Sequence, residues 1–272
     1  MALFRLLIEW ARAASRPMEC KRLATRAVEW GTSELGPLAE PVLVARSSEL
    51  YWMCEVGYDA LAERRFPSLV ADVEKGLGPE SELAWAVRMN SAMPLKARGD
   101  FAGAVEIYRD LVVDMARSLD EDDVLLLTAR DNFAEVLLLD GEYEEARVVY
   151  EQILARVERL WGRSDRRALR VRSELAKTAF AMGDEAGAVE EWASIARVCE
   201  ESLGRHHPRT VATLSLLMAA SLESGDPGRC ARIARRLIAD PPPDFDETDL
   251  EGFELLAREC ERRGREEGGS EE

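Results

Sequence analysis

The sequence predicts an all-α solenoid of paired helices, and three observations carry that expectation. Glycine recurs at positions 99, 141, 183 and 225, a step of 42 residues. Leu35, Leu77, Leu119 and Leu203, with Leu160-Trp161 between them, fall on the same step. Within a period the apolar residues recur at three and four, as on the buried face of a helix. A fixed period of this size means units that bury their apolar faces against their neighbours, not around one central core.

The elements follow in order. Met1 begins midway through what the period makes a leading helix, and Ser15 holds the glycine position of this incomplete unit, 1–33. Leu35-Gly36-Pro37 opens a helix that ends near Gly57, and Leu77-Gly78-Pro79 opens one that ends near Gly99. From Asp122 to Leu139, the residues Leu125, Leu126, Ala129, Phe133, Val136 and Leu137 form a broad buried face. Gly141 ends that helix, because glycine takes the left-handed conformation of a C-terminal cap at least cost. A second helix runs from about Glu142 to Leu160, with Tyr143, Ala146, Tyr150, Ile153 and Leu154 on one stripe.

The next units repeat the pattern. Ser164 is placed to cap a helix reaching Met182, Gly183 breaks it, and the following helix carries Ala188, Trp192 and Ile195. Pro208 sits where a first helical turn tolerates proline, and Gly225 closes that helix. Pro241-Pro242-Pro243 stops the repeats, which span 34–240. Thr248 with Glu251 reads as a capping box for a closing helix within 244–264. The expected organisation is one solenoid domain, 1–264, with 265–272 a disordered acidic tail.

Two columns in the second helices bring a family into view. Ala62, Ala104, Ala146, Ala188 and Cys230 form a small-residue column, to which Cys20 also belongs. Phe66, Tyr108, Tyr150 and Trp192 follow four residues later, with Ala234 in the last unit. Together with Gly99-Asp100-Phe101 before Ala104, and Gly141-Glu142-Tyr143 before Ala146, this spacing resembles the tetratricopeptide repeat. The 42-residue period and the joint Leu203-Gly204-Arg205-His206-His207-Pro208-Arg209-Thr210 resemble the longer, kinesin-light-chain-like variant, also found in bacterial regulatory proteins. The resemblance covers about residues 15–240. It implies a right-handed superhelix of antiparallel helix pairs, with about five full repeats plus partial terminal ones.

The resemblance also implies how such a chain works. Superhelices of this family bind extended peptides along the concave face, lined by the first helix of each unit. In the kinesin-light-chain type, asparagines there bond the peptide backbone. Asn90 and Asn132 stand 42 apart at the matching phase, in a column continued by Ser48, Glu174 and Leu216. Arg167, Arg170, Lys177 and Arg209 are expected to face the same groove. They belong to the one basic stretch of the chain, with seven arginines between Arg156 and Arg172. Arginine forks favour carboxylates, so the expected ligand is an extended, acidic peptide or a partner protein. Such cations can equally be a solvated or self-paired face. Arg46, Arg88, Arg130 and Arg172, also on the 42 step, are expected to pair with acids on a neighbouring helix.

Composition narrows the classes. A net charge of −16 opposes nucleic acid, whose binding needs clustered positive charge, and opposes anionic membranes for the same reason. Five widely spaced cysteines without C-x-x-C point to buried thiols in a reducing cytoplasm. No phosphate-cradling loop, H-E-x-x-H or G-x-S-x-G motif is present, and His206 and His207 are the only histidines. No enzyme, cofactor or metal site is therefore expected. Leu3, Phe4, Leu7, Ile8 and Trp10 form an apolar N-terminal face that reads as a cap, a homodimer contact or a docking face for another protein. Two functions stay open: a non-catalytic interaction module, or a separately encoded sensor arm of a signalling ATPase or transcriptional regulator.

Overall fold

The computed structural model describes residues 2–268, and their side chains at 6, 8, 9 and 11–265. Among these the chain is helical with no strand, and it falls into two compact units, Met1–Glu142 and Tyr143–Glu272. The first holds α1 (Ala2–Ala13), α2 (Pro17–Leu35), α3 (Glu40–Glu55), α4 (Asp59–Leu77), α5 (Glu82–Asn90), α6 (Met93–Ala97), α7 (Phe101–Ser118) and α8 (Val124–Asp140). The second holds α9 (Tyr143–Trp161), α10 (Arg166–Ala181), α11 (Glu185–Leu203), α12 (Pro208–Glu223), α13 (Pro227–Ala239) and α14 (Glu247–Gly268). Within each unit the helices pack on their sequence neighbours, α4 and α7 each touching both α5 and α6.

The repeat columns are the packing core. Ala62, Ala104, Ala146, Ala188, Cys230 and Cys20 are all buried, so the small residues let helices approach closely. Phe66, Tyr108, Tyr150 and Trp192 are buried beside them, and Ala234 takes the aromatic position in the last pair. Two of these aromatics also carry a polar bond across the pair. Tyr108 Oη donates to the Met89 carbonyl at 3.2 Å, and Trp192 Nε1 donates to Ser173 Oγ at 3.1 Å. Both bonds join residues 19 apart, so the column ties its helix to the preceding one by hydrogen bonding as well as by area.

Gly141 has φ 87° and ψ 6°, and its neighbour's amide, Glu142 N–H, bonds the Leu137 carbonyl at 2.9 Å, a left-handed C-terminal cap. At the equivalent position of the first unit, Ser15 is forced to φ 53°. It is the one non-glycine residue with positive φ among those described, a conformation that costs an L-residue about 1 kcal/mol.

Three local expectations are corrected. The helix expected between Gly78 and Gly99 is interrupted at Ser91-Ala92. Pro94 lacks the amide that would close on the Asn90 carbonyl, and its ring crowds the preceding turn. The cap of α10 is Asp165, whose carboxylate accepts the Arg167 amide at 2.8 Å, not Ser164 one residue earlier. The reciprocal pair at the start of α14 is Asp246 with Asp249, each carboxylate accepting the other's amide at 3.0 Å, in place of Thr248 and Glu251. That helix continues past Gly264 into the first residues of the expected tail, and 269–272 lie outside the described residues. Of the N-terminal apolar face, Ile8 packs with Ala11, Cys20, Leu23 and Trp52. The side chains of Leu3, Phe4, Leu7 and Trp10 lie outside the described residues.

Candidate functional site

The expected binding residues form two sets, one in each unit. In the first unit Asn90 ends α5 and is half-buried. Asn132, on α8, points its amide at Met89 Sδ across 4.0 Å, next to Asn90 in the chain. A charged contact joins the following helix to α8, Lys96 Nζ of α6 to Glu135 Oε2 at 2.7 Å. Contacts between the first helices of successive repeats thus form a strip in this unit, to which Asn132 belongs, while Asn90 follows Met89, the partner of Asn132, in the chain.

In the second unit the cations are engaged within the chain. Arg167 lies over the Trp161 ring at 4.4 Å and stands 3.5 Å from Asp165. Lys177 pairs with Glu174 at 2.9 Å, one turn away on α10. Arg209 donates to the Arg166 carbonyl at 2.6 Å, bridging the start of α12 to the start of α10. Arg170 is exposed on α10 and has its own interaction within the chain. The Arg167 and Lys177 side chains keep 42% and 39% of their exposure, so their pairs are of the weak, exchangeable kind.

The 42-step arginines pair with acids as their position requires. Arg46 reaches Asp72 of α4 at 2.7 Å, Arg88 reaches Asp114 of α7 at 2.9 Å, and Arg172 reaches Glu191 of α11 at 2.5 Å. Asp72 and Asp114 are themselves 42 apart, and the next residue in that series is Arg156. Arg130 finds its acid elsewhere, in a two-pronged bond to Glu121 at 2.7 and 3.0 Å.

Burial pushes the Cys54 and Cys230 thiols up to about 12, far above the range in which a thiolate attacks. Cys230 Sγ and Cys260 Sγ lie 3.1 Å apart in the packed interior between α13 and α14. His207 caps α12 by accepting the Arg209 amide on Nδ1 at 3.2 Å, and His206 Nε2 meets Asp240 at 3.1 Å. Among the described residues no cluster of His, Cys, Asp and Glu could hold a metal ion, and no helix is long and apolar enough to cross a membrane.

Sequence columns did not reveal two surface grooves, because the residues that distinguish them fall between the columns. One lies in the first unit between α4 and α7 over α5 and α6, with a volume of about 510 Å³. The other lies in the second unit between α9 and α11 over α10, with about 330 Å³.

These features define a helical-repeat scaffold of packed helix pairs. The match to known proteins gives the particular kind: the tetratricopeptide repeat model matches residues 126–166, and the fold is of the kinesin-light-chain-like tetratricopeptide type. Solved structures agree in fold at low identity. The nearly identical kinesin-light-chain TPR-like repeats of a Podosopora anserina protein share 19% identity and a TM-score of 0.65, over 74% of this chain and 95% of that one. BtubC (BKLC) of P. vanneervenii shares 17% and 0.67, over 84% and 92%. The apo form of RapI shares 9% and 0.59, over 97% and 98%. No curated protein matches the sequence.

Proposed function

We propose that this chain is an interaction module without catalysis of its own, which holds an extended peptide of a partner protein against the first helices of its repeats. The observation that carries this reading is the state of Asn132. Among the described residues its amide has only a thioether sulfur at 4.0 Å as hydrogen-bond partner, a weak acceptor at the limit of bonding distance. Exchanging that contact for a peptide carbonyl gains a full hydrogen bond and gives up little. Asn90, one period earlier, supplies the matching position for a backbone running along the strip.

The cations of the second unit fit an acidic ligand. A carboxylate that displaced the long Arg167–Asp165 contact would gain a paired fork and lose an interaction worth under about 1 kcal/mol at such exposure. Affinity capture from native lysate tests the reading with the wild type, Asn90→Ala/Asn132→Ala and Arg167→Glu/Arg170→Glu. Two lost backbone hydrogen bonds should weaken capture of the same prey by about tenfold, and the arginine pair should abolish capture of acidic prey. An unchanged prey list in both variants would move the interface off the first helices.

A further inference from the structure

The two grooves correspond at a step of 84 residues, twice the repeat. Val70 matches Leu154, Glu74 matches Glu158 and Arg88 matches Arg172. What each groove can hold is decided where they differ. The second groove has Arg147, Glu151 and Glu191 where the first has Glu63, Pro67 and Ile107. In the second, these charges consume one another: Arg147 meets Glu151 at 3.1 Å, Arg172 meets Glu191 at 2.5 Å, and Arg163 meets Glu158 at 3.3 Å.

The first groove is apolar at its floor and acidic at its rim. Phe66, Pro67, Val70, Leu95 and Ile107 line it, and its one lining arginine, Arg88, is turned to Asp114. Around them stand three carboxylates. Glu63 is shared with Arg98 at 2.5 Å, while Glu74 and Asp110 have no ion pair among the described residues. Pro67, inside α4, also removes the amide that would close on the Glu63 carbonyl, as Pro94 does for Asn90. The groove therefore offers acceptors in excess, with apolar surface between them.

We propose that this groove is a docking site for a basic amphipathic segment of a partner protein, with apolar anchors on the floor and arginine or lysine against Glu74 and Asp110. Charge complementarity selects this occupant. Cationic side chains bring the donors that the rim lacks, and the net charge of −16 attracts them from a distance. A second copy of this acidic chain would set like charge against like. The groove is lined by Arg88, Ser91 and Leu95 of the interrupted first helix, not by Asn90 or Asn132, and takes ligand of the opposite sign.

Fluorescence anisotropy tests it with a labelled synthetic peptide of roughly twelve residues, leucines along one helical face and arginines flanking them. A counterpart peptide carries glutamate in place of arginine. The full chain should bind the arginine peptide and not the glutamate one. Glu74→Lys/Asp110→Lys should weaken binding by about tenfold or more through lost rim complementarity. Ile107→Glu should do the same while preserving the fold, since the second groove already folds with glutamate there, and circular dichroism melting checks this. Glu158→Lys/Glu201→Lys, an equal change of charge in the other unit, should leave affinity within about twofold if net charge alone contributes little. Absence of binding, equal binding of both peptides, or equal loss in the two charge-reversed variants would overturn the proposal.

Discussion

The grooves of the two units show how a repeat keeps its framework while changing its surface. Both sit between consecutive second helices, and both have an arginine at the same step. In the second unit the arginine closes onto Glu191 and the groove is filled by its own charges. In the first, Ile107 takes that place, Arg88 turns to Asp114, and an apolar floor is left between carboxylates. Three positions, Glu63 or Arg147, Pro67 or Glu151, and Ile107 or Glu191, thus separate a groove closed by its own charges from one with an apolar floor between carboxylates. Packing columns cannot vary this way, because a change there is felt by both neighbouring helices.

The sharpest test of that difference is to remove each arginine. The Arg172 side chain is 8% exposed and also donates to Ser194 Oγ at 3.2 Å. Arg172→Ala would remove a nearly buried side chain bonded to both Glu191 and Ser194 and should cost about 2 kcal/mol, less than a fully buried pair because Glu191 is partly solvated. Arg88, at 21% exposure against Asp114 at 39%, should cost about 0.5–1 kcal/mol when replaced by alanine. Urea denaturation of both variants measures the contrast. Equal losses would mean that the two grooves do not differ in the way their geometry indicates.

Legibility from sequence followed the same division. The columns at Ala62, Phe66 and their equivalents could be read because stacking demands the same solution in every repeat. Gly141 could be read because its backbone conformation excludes most side chains. The caps were harder: Ser164 and Asp165 are adjacent acceptors, and which reaches the first-turn amides is settled by the backbone just ahead of the helix. The break at Ser91-Ala92 is set by Pro94, a local residue that the 42-residue period does not register. The engagement of Arg167 with Trp161 depends on how a chain turns between helices, which spacing does not encode. The grooves were hidden because Pro67, Ile107, Glu151 and Glu191 belong to no column, and only a residue-by-residue comparison at 84 brings them together.

What both units share should respond alike. Tyr108→Phe removes the hydroxyl that serves the Met89 carbonyl, and Ser173→Ala removes the acceptor for Trp192 Nε1. Each should cost about 1 kcal/mol, the net worth of one hydrogen bond. Thermal unfolding of the two variants should show shifts of the same size. A cost confined to one unit would mean that the aromatic column is only a packing device in the other.

Acid should separate the units by a smaller margin. In the second unit, Arg262 and Arg263 hold the Glu259 carboxyl down to about 2, and Arg235 and Arg205 lower those of Glu261 and Asp240. In the first, Arg98 does the same for Asp100. A carboxylate whose folded value is depressed contributes stability above its unfolded value, and loses it as pH falls toward the folded one. All four groups are solvent-exposed, so each contributes little, but Glu261 joins α14 to Arg235 of α13 and Asp240 joins the end of α13 to Arg205. As pH falls through the unfolded glutamate range toward the lowered folded value of Glu261, the α14 attachment that its bond to Arg235 provides should loosen. Hydrogen exchange read by mass spectrometry should then show α13 and α14 losing protection before α4 and α7, whose groove depends on apolar packing. Simultaneous loss in both units would place the acid-sensitive contacts elsewhere.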